Sequence, residues 1–302
     1  MNISKKGANL MLILVSVLWG SGFVVTKMVL DGGITPGFAN FSRGLLFAVT
    51  AYICFRKRIN AMTKHDLKIG IIAGLINFAG YLTQTVGVVY TTPSNNAFIC
   101  ANYVVFVPFL AFLMYRKPLQ AKSFVCIGAC VFGMALLSGI MESGFVLNPG
   151  DIYSLISALF YALSITYMSY GCDEADPTVV AFLLAAVQAV GGLLYFLVVD
   201  GGTMPNVDWG ATFLPLLYIG FICSFVCQTI QVIAQRYTSA TSASLIMMLE
   251  SVFGSMFSIM FGYENFTIRL LLGGGIILIS LVVMEVDLKA LFRKKEKDTA
   301  KA

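Results

Sequence analysis

A single acidic residue near the middle of a long apolar segment is the first candidate for chemistry in this sequence. Residues 237–264 form about one membrane span of apolar and small side chains, and Glu250 lies near its centre. A carboxylate at mid-bilayer costs about 2.5–3.5 kcal/mol on insertion scales, so it needs a partner, a proton or a water-filled cavity. Glu250 is therefore a candidate proton carrier or a binding group for a cation. The alternative is a carboxyl that only hydrogen-bonds neighbouring helices.

Arg43 is a second charge at membrane depth. It lies about seven residues into an apolar segment, roughly 10 Å from the segment's start at 1.5 Å per residue. A guanidinium stays charged at physiological pH, so Arg43 needs a carboxylate, carbonyl groups or water. We expect it to bind a substrate carboxylate or to pair with Glu250; the alternative is a fixed ion pair or a bond to carbonyl groups that holds the helices together.

Further polar and aromatic side chains occur inside the apolar segments. Most of them should face the interior of a helix bundle, and each taken singly is more often a contact between helices than a ligand contact. As a set, mixed with aromatic rings, they predict a cavity for a small amphipathic molecule. The remaining candidate substrate-binding residues are Trp19, Asn77, Tyr81, Gln84, Tyr103, Tyr161, Gln228 and Gln231.

The composition indicates an integral membrane protein. Of 302 residues, 58% are hydrophobic and 12% are charged, whereas soluble domains carry about 25% charged residues. The seven cysteines lie mostly in apolar runs and the single histidine lies in a polar loop, so we expect no metal site and no cofactor. The sequence contains no P-loop, GxSxG or HExxH motif. These absences argue against an enzyme and against ATP-driven function.

Apolar runs of about 20 residues recur along the chain and predict spanning helices. The predicted fold is an all-α integral membrane bundle of ten transmembrane helices. Basic residues concentrate at the N-terminus, after helices 2, 4 and 8, and in the C-terminal tail, which places both termini in the cytoplasm. This distribution explains the net charge of +5 without a nucleic-acid partner. The predicted helices span 9–30, 37–55, 69–90, 95–115, 123–140, 151–171, 177–199, 211–235, 241–261 and 270–288.

The second half of the chain repeats the first. Gln231 aligns with Gln84 and Glu250 with Tyr103 at an offset of 147 residues, and Tyr161 aligns with Trp19 at an offset of 142. We therefore predict two five-helix repeats, 1–145 and 146–288, followed by a basic cytoplasmic tail, 289–302. Because five is odd, the second repeat enters the membrane inverted, and inverted repeats with a site at their interface are the architecture of many secondary transporters.

Three motifs resemble the drug/metabolite transporter superfamily, EamA type, over nearly the whole chain. They are LWGSGFVVTK at 18–27, FSRGLLF around Arg43, and LESVFGSMFSIMFGYENFT at 249–267. The family's ninth helix often reads Glu-Pro at its middle and Gly-Glu at its end. This chain has Ser251 in place of the proline and Tyr263 before Glu264. The resemblance implies ten helices in two repeats and transport of small metabolites, often export.

These observations predict a secondary-active or facilitative transporter that works by alternating access in the inner or plasma membrane. Its substrate would be an amino acid-like zwitterion or amphipathic metabolite, with export as the expected direction and Glu250 as the coupling acid. The alternatives are an exporter of cationic or lipophilic drugs and a non-transporting membrane scaffold or sensor. The expected partners are the small-molecule substrate and the lipid bilayer. We expect a monomer, with an oligomer as the alternative.

Overall fold

The computed structural model describes residues 3–118, 121–138, 148–172, 174–204 and 206–285, and within them it contains helices and no strands. We number the helices so that a helix interrupted by a turn or a π-helical segment keeps one label. They are α1 (Lys5–Asp31), α2 (Pro36–Ile59), α3 (Lys64–Tyr90), α4 (Pro93–Tyr115), α5 (Ala121–Ser138), α6 (Pro149–Tyr170), α7 (Pro177–Val198), α8 (Trp209–Gln235), α9 (Ala240–Met260) and α10 (Ile268–Glu285).

Eight of these helices are long and apolar enough to cross a membrane. The apolar parts of α5 and α10 are shorter, Ala121–Gly133 and Leu271–Ser280. The prediction of an all-helical multi-pass protein is confirmed, whereas ten crossings and cytoplasmic termini remain predictions. The repeat boundary at 145 and the basic tail 289–302 lie outside the described residues.

The helices pack mainly across the two repeats, and the pattern stays the same when the repeats are exchanged. The corresponding helices α2 and α7 form the most extensive contact, and α5 packs on its counterpart α10. α3 packs on α6 as α8 packs on α1, and α4 packs on α6 as α9 packs on α1. The repeat inferred from sequence is therefore also a repeat in packing.

Glycines bring α2 and α7 into backbone contact. A Cβ on Gly44 would lie 2.3 Å from the backbone nitrogen of Ala189, and one on Gly192 would lie 2.3 Å from that of Phe41. Such close approach is possible only without a side chain. This glycine contact between the repeats was not singled out in the sequence.

The glycines of α5 and α10 differ in how closely they approach a neighbouring helix. Gly133 makes a close contact, because a Cβ there would lie 2.8 Å from the carbonyl oxygen of Gly273. Gly128 and Gly275 make none, since a Cβ at either position would meet no atom within 4 Å. Close contact is thus restricted to part of the glycine-rich segments.

Replacing Gly44 by valine is expected to destabilise the protein by about 3 kcal/mol, the upper end of the cost of overpacking, because backbone atoms of α7 cannot move aside like a flexible side chain. Thermal unfolding in detergent would measure the loss. Gly128→Val is the matched control and should leave the melting temperature nearly unchanged. Equal effects of the two substitutions would contradict the close α2–α7 contact.

Turns interrupt α4 and α9 at corresponding places. In α4 the amide of Val104 donates to the carbonyl of Ala101, and in α9 the amide of Ser251 donates to the carbonyl of Met248, so both helices contain an i→i+3 bond 147 residues apart. The interruption in α9 occurs without the proline common in the family, and the Ser251 hydroxyl also bonds the Met248 carbonyl at 2.9 Å.

Asp176 caps the start of α7 at the predicted cytoplasmic end. Its carboxylate accepts hydrogen bonds from the Thr178 amide at 2.8 Å and the Thr178 hydroxyl at 2.6 Å, and it lies 3.3 Å from the Arg58 guanidinium. Partial burial raises the pKa of Asp176, but these bonds and the Arg58 charge outweigh it, so its pKa lies below the ordinary value. The capping bonds, rather than the half-exposed ion pair, carry most of this stabilisation.

Asp176→Ala is expected to cost about 1 kcal/mol of stability at neutral pH, the usual value of an N-cap. Because the folded-state pKa is lowered, the part of this contribution that depends on the charge is present above the unfolded-state pKa of about 3.9. It is lost as the pH falls further, through the folded-state pKa. The gap in melting temperature between native and alanine protein should therefore narrow in acid, where the protonated carboxyl still accepts capping bonds but carries no charge. Asp176→Asn keeps a neutral cap and should remove most of the pH dependence; a gap between native and alanine protein that does not narrow in acid would contradict this assignment.

Candidate functional site

A cavity lies at the centre of the bundle, bounded by α1, α2, α3, α4, α6, α8 and α9. The space between the lining atoms, including the opening of the cavity, amounts to about 540 Å³. The centre of a water molecule can be placed in only about 40 Å³ of this space. A single water needs about 10–15 Å³ of such space, so the cavity is narrow in this conformation. It fits a small ligand better than a bulky one.

Arg43 enters the cavity from α2 and is 4% exposed. Its Nε donates to the hydroxyl of Ser224 at 3.1 Å, and its guanidinium carbon lies 4.5 Å from the centre of the Tyr81 ring. A cation over an aromatic face is stabilised by about 2 kcal/mol when desolvated. Among the described residues no carboxylate lies within 4 Å of this cation, so its charge is held by neutral groups.

Glu250 enters the same cavity from α9 and is 5% exposed. The turn at Met248 places it in the first turn of the second half of α9, Leu249–Met260, where the positive end of the helix dipole favours an anion. The hydroxyl of Tyr103 lies beside its carboxyl, although it makes no hydrogen bond of ordinary geometry. Arg43 and Glu250 therefore face one cavity without forming an ion pair in this structure.

Nine of the ten predicted site residues line this cavity. They are Trp19, Arg43, Asn77, Tyr81, Gln84, Tyr103, Tyr161, Gln231 and Glu250. Gln228 is the exception: it is fully buried behind the wall, and its side-chain oxygen accepts a hydrogen bond from the Asn77 amide at 2.8 Å. Gln228 thus orients Asn77 rather than facing the cavity.

Hydrogen bonds between helices fix the orientation of the wall. The Trp19 indole N–H donates to the backbone carbonyl of Cys223 at 2.7 Å, and the Tyr161 hydroxyl donates to the Gln84 side chain at 2.5 Å. Tyr103 and Tyr81 both pack edge-on against Tyr161. The aromatic side of the cavity is therefore held in place by contacts between the repeats.

A π-helical segment of α8, Ile219–Val226, was missed by sequence reasoning. It places the Cys223 carbonyl against Trp19 and the Ser224 hydroxyl against Arg43. Single-turn π segments are frequent at functional sites. Pro215 inside the preceding helical turn is a sequence signal of irregularity in α8, but it does not indicate which residues turn toward the cavity.

Other lining residues were missed because they are ordinary core residues in sequence. Phe23 and Thr26 line the α1 side, Ile165 lies on α6, and Met247 lies at the α9 turn. Their residue types occur throughout any membrane bundle, and only their position on the tertiary fold distinguishes them.

The fold and the site together define a multi-pass membrane transporter. Its long apolar helices form two packed repeats around a central cavity that contains both a buried cation and a buried acid. The chain belongs to the EamA-like transporter family. The sequence model of this family matches residues 6–139 and, a second time, residues 148–286. It is accordingly a transporter of the cell membrane and not an enzyme.

Relatives agree with this membership. A protein of Archaeoglobus fulgidus described as an uncharacterized transporter is 32% identical over 292 residues, which cover 94% of this chain and 87% of the relative. One of Clostridium kluyveri with the same description is 24% identical over 99% of both chains. A protein crystal structure has the same fold, with a TM-score of 0.75 and 15% identity over 95% of this chain and 99% of the other.

Proposed function

We propose that this transporter carries a small zwitterion, such as an amino acid, across the membrane. The observation that carries the proposal is that Arg43 and Glu250 line the same cavity and do not pair with each other. A zwitterion would place its carboxylate at the guanidinium and its ammonium at Glu250. Both buried charges would then be compensated by the ligand, which is how a membrane interior tolerates them.

The surroundings of the two charges support this assignment. Ser224 and Tyr81 hold the Arg43 guanidinium toward the cavity without neutralising it, so it remains available for a carboxylate. The narrow space favours a ligand of amino-acid size. The Tyr103 and Tyr161 rings, which line the same cavity as Glu250, add faces on which an ammonium group is stabilised.

The two alternatives account for fewer of these features. A cationic or lipophilic drug would use Glu250 and the aromatic rings but would leave Arg43 as a repulsive charge in the same cavity. A scaffold would bury both charges against fixed partners with no cavity between them. The cavity and the missing ion pair favour transport of a ligand that carries both signs of charge.

The repeat supports transport by alternating access. Exchange of conformations between the repeats 1–145 and 146–288 would open the central cavity first to one side and then to the other. Glu250, at the turn of α9, is the residue we assign to proton coupling, because gain or loss of its proton changes the charge that the cavity offers. Export is the direction that the family resemblance implies.

A thermal-shift screen of the detergent-purified protein tests the proposal. The panel contains neutral amino acids, the corresponding amines without a carboxylate, the corresponding acids without an amine, quaternary amines and nucleosides, each at two pH values. A ligand present at 100 times its dissociation constant stabilises the native state by about 2.7 kcal/mol. We expect shifts from the intact zwitterions and much smaller shifts from both truncated series; equal shifts from amines and amino acids would overturn the role of Arg43.

A further inference from the structure

One fully buried polar side chain takes no part in the cavity described above. Gln235 on α8 has 0% exposure, and neither its amide nitrogen nor its carbonyl oxygen has a hydrogen-bond partner among the described residues. A buried polar group without a partner is unfavourable, and Gln235 has two such atoms. A partner for these atoms in another state of the protein would offset that cost.

Gln235 continues the line of polar residues on α8 beyond the cavity. It follows Gln231, which lines the cavity, by four residues and therefore lies on the same helix face, about 6 Å farther along the axis at 1.5 Å per residue. The direction is toward the predicted cytoplasmic end of the bundle. Leucine or alanine at position 235 would avoid the cost of burial.

A second buried polar group without a partner, a hydroxyl, lies near the C-terminal end of α6. Ser169 is 5% exposed, has no hydrogen-bond partner among the residues that the structure describes, and follows the cavity residue Ile165 by one helical turn. α6 contacts the first half of α9, and the last part of α8 contacts α6 directly. Two polar groups thus lie one turn beyond the cavity on adjacent helices.

The repeat supports the placement of Ser169 next to Gln235. At the offsets of 142 and 147 residues, Ser169 corresponds to Lys27 on α1, and Gln235 corresponds to Val88 on α3. Those two residues meet at the opposite end of the bundle, where the Lys27 ammonium lies 3.4 Å from the Val88 carbonyl oxygen. The inverted repeat therefore predicts that Ser169 and Gln235 also lie close together, at the other end of the bundle.

We call the contact of α1 with the first half of α9 the floor of the cavity, because Met247 lines the cavity and this part of α9 lies toward the predicted cytoplasmic end. Met247 and Met248 are fully buried at the turn of α9, and the Ser16 hydroxyl of α1 donates to the Ile246 carbonyl at 3.1 Å. The Gln231 amide contacts the Met247 sulfur at 3.6 Å. Methionine side chains are flexible, and an interrupted helix is able to bend at its turn, so this floor is suited to open.

We propose that Gln235 and Ser169 form a second polar binding position on the cytoplasmic half of the transport path, which takes the charged groups of the small zwitterion after the floor opens. In the conformation described here neither side chain has a hydrogen-bond partner among the described residues. The proposal rests on the transport path of the proposed function, but its main test does not use the substrate.

Cysteine labelling tests whether the position faces the path. Gln235→Cys and Ser169→Cys are made in a Cys54→Ser/Cys223→Ser background, because Cys54 is exposed and Cys223 lines the cavity, and are treated with a membrane-impermeant maleimide from either face of membrane vesicles. We expect both to react from the cytoplasmic face at least about ten times faster than Gln188→Cys, a control at a fully buried glutamine of α7 whose amide is bonded to Asn40. Reaction at the control rate, or only from the outer face, would overturn the proposal.

Gln235→Leu separates a path residue from a structural one. Removing two unpaired polar atoms should raise the melting temperature by about 2–4 °C. Gln188→Leu removes one unpaired oxygen but also leaves the Asn40 side-chain oxygen without its donor, so it should not raise the melting temperature. Transport of a mixture of radiolabelled neutral amino acids should slow about tenfold, while the melting shift that the mixture induces stays unchanged. A lower melting temperature, or unchanged transport, would overturn the proposal. If the native protein neither binds nor transports the mixture, the proposed function fails, and the labelling result alone decides this inference.

Discussion

Arg43→Ala is expected to abolish saturable transport of zwitterions while leaving a folded protein. Removing one partner of a buried charge pair costs about 2–5 kcal/mol, so the apparent affinity should fall at least about 30-fold. Uptake into proteoliposomes, with the melting temperature of each preparation, would measure both effects. Because Arg43 has no carboxylate partner within 4 Å among the described residues, its removal strands no buried acid that is bound to it.

Two further variants show whether the shape of the cation matters. Arg43→Lys keeps a charge but loses the planar fork that matches a carboxylate, and it should retain only a small part of the affinity. Arg58→Ala, which removes an exposed arginine paired with Asp176, is the control and should transport normally. The zwitterion assignment fails if Arg43→Ala transports every active substrate at the native rate.

Glu250→Gln is expected to reduce transport about 100-fold without unfolding the protein. Glutamine has the same shape and needs no charge compensation at membrane depth, so the melting temperature should stay equal or rise. It cannot release or accept a proton, and it cannot pair with an ammonium group by charge. If Glu250 couples protons, the variant should also lose the stimulation of transport by an imposed pH gradient.

Glu264→Gln provides the matched control for Glu250. Glu264 lies beyond the end of α9, is bonded to the Ser94 hydroxyl, and does not line the cavity. Transport by this variant should remain within about threefold of the native rate, the scatter we allow for loss of a partly exposed hydrogen bond of about 0.5 kcal/mol. Full activity of Glu250→Gln, or equal losses in both variants, would refute a specific role for the acid inside the cavity.

The double variant Arg43→Ala/Glu250→Gln distinguishes one shared ligand from two separate sites. Residues that bind opposite ends of one molecule act on the same bound state, so their effects should not add. We expect the double variant to be little worse than the poorer single variant. Additive losses would place the two charges in independent steps.

The sequence by itself determined the class of the protein and its repeat. Apolar runs long enough to span a membrane are compatible with few structures, because the backbone must satisfy its hydrogen bonds within each segment. Charged residues are costly inside a membrane, so Glu250 and Arg43 could be recognised as candidate functional residues from the sequence. The expectation that polar side chains in apolar helices face the bundle interior selected ten residues, and nine of them line one cavity. Gln228 was misplaced because the sequence does not distinguish a residue that faces a cavity from one that supports it.

Only the tertiary structure decided how these residues meet. The absence of an Arg43–Glu250 ion pair depends on the relative placement of α2 and α9, which are far apart in sequence and held by packing. The π-helical segment that aims Ser224 at Arg43 and the turn that places Glu250 at a helix start depend on a shift of one hydrogen bond in the backbone. Such shifts cost little energy and leave no fixed residue pattern. Sequence periodicity therefore determines which helices form, whereas long-range packing decides which side chains share the cavity.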